Sequence, residues 1–283
     1  MSRLFAAAPS SPHPLKRINL SQRGYAISNR LINWGTQLLG KEWDRRLLGL
    51  AALPIGTILD IGANEGQFSR RMSRLFPAAQ IYAFEPLPVA LAPLKHWAQQ
   101  QQGRVQVLGV ALGETHGTVE MQQHLYFSAS SSVLPTTPLG EAVYPIMAKQ
   151  QGVAVVQMPL DAAIAQLPPL PPGDLLIKLD VQGYEDRVIQ GGEQTFRRAK
   201  ACIVEISLDP LYNGQATFHQ IFELLSRIGY CYSGNLDQIQ AKDGHVIYLN
   251  ALFINSSTAS CSETFHAPGL AQNHDSTASA MKP

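Results

Sequence analysis

Five carboxylates stand at or near the ends of short apolar runs: Asp60 after Ile58-Leu59, Glu85 after Ile81 to Phe84, Asp180 after Leu175 to Leu179, Glu185 just beyond it, and Glu205 within Ala201 to Ser207. In an open α/β sheet the carboxyl ends of the strands are where small ligands bind, so acids placed there can hold hydroxyls or take protons. Between the first two lies Gly62-Ala63-Asn64-Glu65-Gly66. Glycine tolerates positive φ and lets a ligand approach bare backbone, so this stretch reads as a binding loop. Glu85 follows Gly66 by nineteen residues, the spacing at which an acid on the second strand accepts both hydroxyls of a ribose.

A dinucleotide needs more than that acid. NAD and FAD sites use G-x-G-x-x-G, whose paired early glycines bring backbone against the pyrophosphate, whereas this loop is G-x-x-x-G. Glu65 at the helix entrance also repels phosphate. A ligand with a ribose and a cationic or zwitterionic end suits the loop better, and S-adenosylmethionine has that shape, with Asp60 near its ammonium group. On spacing alone the dinucleotide stays open as the alternative.

The elements that must position these acids follow from periodicity. Thr57 to Ile61 reads as a doubly buried strand, and Phe68, Met72, Leu75 and Phe76 mark a helix stopped by Pro77. Gln80 to Phe84 is a second strand, with Glu85-Pro86 and then a helix carrying Val89, Leu94 and Trp97. Val105 to Val110 is a third, leading into Ala111-Leu112-Gly113. Leu175 to Leu179 and Ala201 to Ser207 are the fourth and fifth, and Gly183 opens a helix through Val188 and Ile189. Phe218, Ile221, Phe222, Leu225 and Ile228 form an amphipathic helix closed by Gly229. Tyr230 to Ser233 and Val246 to Ile254 flank Asp243-Gly244, which predicts an antiparallel hairpin. Alternating strands and helices imply a doubly wound, mostly parallel α/β sheet with that hairpin at its end. Thr118 to Gln122 and Val153 to Met158 read as extra strands around the serine stretch 128 to 132, an insertion near the binding edge where specificity loops sit.

The chain divides into a basic helical extension over 1–52, a catalytic domain over 53–255 and a polar tail over 256–283. The extension has eight Lys or Arg against Glu42 and Asp44. It reads as a solvated helix packed by Leu31, Ile32, Trp34, Leu38 and Leu39, with a lid or docking arm as the alternative. A formal charge of +1 over 283 residues gives no field that favours nucleic acid. No run reaches the eighteen or so apolar residues of a membrane span, and Leu4 to Ala8 is too short for a signal peptide, so a cytoplasmic location is expected. Pro168, Pro169, Pro171 and Pro172 read as an extended linker. Cys202, Cys231 and Cys261 are too scattered for a metal motif, and Cys202 and Cys231 read as reduced strand residues. No pair of histidines has ligand spacing, so no metal is expected and His124 reads as a surface residue.

The order of motifs carries a resemblance. Asp60-Ile61-Gly62-Ala63-Asn64-Glu65-Gly66, Phe84-Glu85-Pro86, Val110-Ala111-Leu112-Gly113, Ser130-Ser131-Ser132, Leu160-Asp161, Ile177-Lys178-Leu179-Asp180-Val181-Gln182-Gly183-Tyr184-Glu185 and Val204-Glu205 resemble the FkbM-type methyltransferases from about Thr57 to Ile254. The resemblance implies a seven-stranded, Rossmann-like class I methyltransferase fold and methyl transfer from S-adenosylmethionine to hydroxyls of sugars, polyketides or other small secondary metabolites. It places Asp60, Gly62, Ala63, Asn64 and Gly66 in the cofactor loop, with Glu85-Pro86 at the ribose and Ala111 and Leu112 by the adenine. Asp180 falls between cofactor and acceptor as the leading candidate base, with Glu185 and Glu205 in reserve. For Glu185, in the first turn of its helix, a capping role is the stronger reading. Gln182 departs from the pattern, standing where many members have Glu. Ser130 to Ser132 contact the methionine end or the acceptor, or else form a flexible polar loop. Asp209-Pro210-Leu211-Tyr212 resembles the Asp-Pro-Pro-Tyr signature of amino-group methyltransferases, but it lies after the wrong strand and reads as chance. A nicotinamide or flavin oxidoreductase, or a cofactor-binding protein without catalysis, are the rival functions.

Overall fold

The computed structural model describes residues 47–256; the expectations for the basic extension, up to residue 46, and for the tail, from residue 257, lie outside them. After a helical turn at Leu48–Ala51, in which Leu50 is buried along with the preceding Leu47, the chain enters β1 (Ile55–Ile61). It continues through α1 (Gln67–Leu75), β2 (Gln80–Phe84), α2 (Pro88–Gln99) and β3 (Val105–Leu108). Next come β4 (Ala111–Gly113), β5 (Gly117–His124), α3 (Pro138–Val143), β6 (Gln150–Pro159) and α4 (Leu160–Ala165). The second half holds β7 (Asp174–Leu179), α5 (Glu185–Gly191), α6 (Glu193–Arg198), β8 (Ala201–Ser207), α7 (Phe218–Arg227), β9 (Tyr230–Gln240) and β10 (Val246–Asn255).

Seven strands form one sheet in the order β3-β2-β1-β7-β8-β10-β9. The first five are parallel, and β10 joins β8 and β9 antiparallel, as the Asp243-Gly244 turn predicts. The sheet order reverses between β1 and β7, which puts the carboxyl ends of those strands, and hence the loops after Ile61 and Leu179, at one crevice. The two faces carry separate cores. Leu59, Ile61, Ile177, Val204 and Ala251 pack with α5, α6 and α7, while Ile58, Ile81, Leu176, Ile203 and the side chains Met72, Leu94 and Trp97 of α1 and α2 fill the other side. Alternation along each strand therefore decides which acid points where: Asp60 and Lys178 share the face of Ile58 and Leu176.

The insertion folds as a second sheet, β4-β6-β5, with β5 and β6 antiparallel. The third predicted strand ends early for this reason. Predicted over Val105 to Val110, it stops at Leu108, and from Ala111 the chain leaves the main sheet and pairs with β6 instead. Among the described residues no helix is long and apolar enough to cross a membrane. Cys202 is free and buried, but Cys231 is disulfide-bonded, contrary to the sequence reading.

Candidate active site

Gly62 leaves β1 at φ +79, and a Cβ there would stand 1.8 Å from the Asp180 carbonyl oxygen, so this glycine is required by the close approach of the β1 and β7 ends. The loop amides are nearly all spent on the protein. Gly62 and Ala63 donate to the Phe84 carbonyl, Asn64 to Glu85 Oε2 at 2.9 Å, and Gly66 to the Ala63 carbonyl. A pyrophosphate needs such amides free, so the dinucleotide alternative loses its main support.

Glu85 is 5% exposed, with its Oε1 accepting the Leu87 amide at 2.8 Å. Burial pushes its carboxyl up to about 7 against the pull of these two amides. Glu85 borders a cleft lined also by Leu87, Val110, Ala111, Leu112 and Met121 and by Asp180 and Gln182. Gly62, Asn64 and Pro86 also line it. A carboxylate with lone pairs to spare, apolar lining residues and a second acid, Asp180, in one cleft suit S-adenosylmethionine.

Three residues expected at the cofactor do not line this cleft. The Asp60 carboxylate, 1% exposed, accepts the Ser69 amide at 3.0 Å and its hydroxyl at 2.5 Å, so it anchors the first turn of α1 beneath the loop. Burial pushes it up to about 6 while Ser69 opposes. Ala63 packs into the core, and Gly66, at φ +87, is the residue from which α1 starts. Glu185 is likewise turned away from the cleft. Its Oε1 accepts the amides of Val181 and Gly183, which makes it a brace of the β7–α5 turn. Burial pushes this carboxyl up to about 7.

Asp180, Gln182 and Glu205 are brought together. Gln182 Nε2 donates to Asp180 Oδ1 and to Glu205 Oε1, each at 2.7 Å, while Lys178 Nζ lies 3.1 Å from Asp180 Oδ2. Burial, with the Asp180 charge beside it, pushes Glu205 up to about 8. Burial works against the Lys178 charge, but Asp180 and Glu205 outweigh it and hold that ammonium above its ordinary range.

Sequence reasoning missed two contributors. The Tyr212 hydroxyl lies 2.7 Å from both Gln182 Oε1 and the Ser130 carbonyl, so the Asp-Pro-Leu-Tyr stretch does reach the site, across thirty residues of chain. His124, 1% exposed and not on the surface, sits 2.7 Å from Ser130 Oγ and 3.1 Å from Thr136 Oγ1. Ser130 donates its own proton to the Phe127 carbonyl, which assigns the histidine proton to Nδ1. Burial lowers the pKa of this ring and keeps it neutral. The serine stretch is therefore pinned, with Ser128 donating to Asn64 Oδ1 and Ser132 to the Gln182 carbonyl, both at 2.8 Å. The signal for His124 was its place at the end of β5, where the chain turns inward. Among the described residues no cluster of three or more His, Cys, Asp or Glu is arranged to hold a metal.

The Methyltransferase FkbM domain matches residues 60–232. The 2-O-methyltransferase NoeI of Sinorhizobium fredii (strain NBRC 101917 / NGR234) is 30% identical over 190 residues, which cover 64% of this chain and 75% of that protein. Among solved structures, the magnesium protoporphyrin IX methyltransferase ChlM from Synechocystis PCC 6803 with bound SAM is similar at a TM-score of 0.44 and 11% identity, covering 86% of this chain and 87% of that one. The plantazolicin methyltransferase BpumL in complex with SAH gives 0.43 and 13%, covering 83% and 90%. With the motif order, the sheet and the match over residues 60–232 in agreement, the chain belongs to the FkbM family of S-adenosylmethionine-dependent methyltransferases.

Proposed function

We propose that the chain methylates a hydroxyl of a sugar or comparable small secondary metabolite, with Glu85 holding the ribose of the cofactor and Asp180 serving as the base. The bound cofactor supplies an activated methyl group on a sulfonium. The protein's work is to align acceptor and donor and to take up one proton. Asp180 lines the cleft and is fixed from two sides by Lys178 and Gln182, so its carboxylate has a set orientation toward an incoming hydroxyl. Glu205 stands behind Gln182 as the second acid of the pair. Gly62, Asn64 and Pro86 border the cofactor, Ala111 and Leu112 flank its base, and Asp60, Ala63 and Gly66 act through the loop's shape. The relative NoeI, a 2-O-methyltransferase, supports oxygen as the acceptor atom. Cytoplasmic placement rests on the diffusible cofactor; the disulfide at Cys231 pulls the other way.

The observation that carries this reading is Glu85: a buried acid bordering the cleft beside a loop whose amides are already occupied. Thermal melts test it. S-adenosylhomocysteine at a hundredfold over its Kd should add about 2.7 kcal/mol, a rise of roughly 5–10 °C for a domain of this size. Stabilisation by NAD and not by the thioether would overturn it.

A further inference from the structure

We propose that Cys231 and Cys261 are a redox pair whose disulfide fastens the C-terminal segment to the start of β9, and that the chain is thereby modified by small disulfides and released by thiols. The sequence holds three cysteines, Cys202, Cys231 and Cys261. Cys202 is free and fully buried in the core. Cys231 is disulfide-bonded. Within one chain that leaves Cys261, which lies outside the described residues, as its partner.

The end of β10 gives this pairing its geometry. Asn255 is matched with Tyr230 in the antiparallel β9–β10 ladder, so the chain leaves the sheet one residue away from Cys231. Ser256 follows, its amide donating to the Gly229 carbonyl at 3.1 Å and its Oγ lying 3.2 Å from Cys231 Sγ. A disulfide sulfur carries no proton, so the serine hydroxyl is the donor in that contact. Only residues 257–260 separate Ser256 from Cys261. Five residues of extended chain reach about 17 Å at most, and a disulfide needs its two Cα atoms about 4.4–6.8 Å apart, so the bond closes without moving β9. A short tether also gives the partner thiol an effective concentration on the order of millimolar, well above that of the same cysteine on a second copy at micromolar protein. The intramolecular bond therefore wins. It closes a covalent loop around β9 and β10, at the end of the sheet where β9 is the last strand.

The oxidant is a small disulfide of the glutathione class. One protein thiolate attacks a sulfur of that disulfide and releases one small thiol; the second thiolate then attacks the protein sulfur of the mixed disulfide and releases the other. Two protein thiols lose two protons and two electrons, and the small disulfide is reduced to two thiols. Cys231 does not border the cleft, so this inference stands apart from the methyl-transfer reading.

The test uses the full chain, treated with oxidised glutathione or with dithiothreitol, then alkylated and digested with trypsin. Cleavage after Arg227 and Lys242 puts Cys231 in peptide 228–242 and Cys261 in peptide 243–283, while Cys202 falls in 201–227. The oxidised chain should yield 228–242 joined to 243–283, be lighter by two hydrogens than the reduced chain, and run as a monomer without reductant. It should melt roughly 5–10 °C above the reduced form, and Cys261→Ser should melt like the reduced wild type whatever the treatment. A Cys231–Cys231 link between two copies, a link through Cys202, three alkylated cysteines after oxidation, or equal melting of the oxidised and reduced chains would overturn the proposal.

Discussion

Gln182→Glu replaces the bridging amide with a carboxylate, and its consequence can be worked out from the contacts. The residue sits at φ +58, and Gln and Glu share the same backbone preferences, so strain is unchanged. The Tyr212 hydroxyl keeps an acceptor. What is lost is the amide that donates to Asp180 and Glu205 together. Hydrogen bonds to charged groups contribute about 1.5–3 kcal/mol each, and partial solvent access favours the low end, so the variant should lose about 3 kcal/mol at pH 8.5. Once protonated, the introduced carboxyl regains one donor and halves that loss at pH 5.5. The sign follows from linkage: Asp180 and Glu205 raise the new carboxyl, so the stability it contributes is present in acid and disappears as pH rises through its folded pKa. Glu205, pushed up to about 8, gives the wild type a slope of the same sign, so the difference between the two proteins is the quantity to read. Paired melts at the two pH values should differ by roughly 6–12 °C at pH 8.5 and about half of that at pH 5.5. Millimolar Mn²⁺ should recover part of the loss, since three carboxylates form an oxygen ligand set. Equal stability at pH 8.5, or the same loss at both pH values, would refute the bridging role of the amide.

Two further substitutions probe the acids on either side. Glu85→Ala strands the amides of Asn64 and Leu87, so it should lower the melting temperature of the free protein, by about 1–3 kcal/mol per amide, as well as abolish the shift with S-adenosylhomocysteine. A variant that melts like the wild type and still responds to the thioether would refute both roles of Glu85. Lys178→Met removes the cation shared by Asp60, Asp180 and Glu205 and should cost about 3–5 kcal/mol, with the deficit in urea unfolding widening from pH 6 to pH 8.5 as Asp60 and Glu205, both raised by burial, are forced to ionise. A deficit that does not grow with pH would mean that Lys178 contributes packing alone.

The mostly parallel sheet and its antiparallel end were legible because periodicity and turn residues are local signals. The roles of Asp60 and Glu185 were only half legible. Position at a strand end is readable, but the face a carboxylate takes depends on strand alternation and on which helix lies above it, and both acids turn to backbone amides instead of the cleft. Tyr212 was hidden by distance along the chain: its partner Gln182 lies thirty residues earlier, and no local pattern encodes that meeting.

The insertion is more than a wall for the acceptor, because it holds the two most constrained residues of the site. Asn64 and Gln182 both have positive φ, an uncommon state for residues with side chains. Each carries an essential contact: the Asn64 amide fixes Glu85, and the Gln182 amide fixes Asp180 and Glu205. Strained conformations persist only where the surroundings over-determine them. Ser128 supplies that constraint to Asn64 and Ser132 supplies it to Gln182, and the two serines are joined by a stretch that His124 grips from β5. One five-residue strap thus braces Glu85, Asp180 and Glu205 at once, so a change in the insertion that shifts Gln182 should also be felt at Asn64 and Glu85.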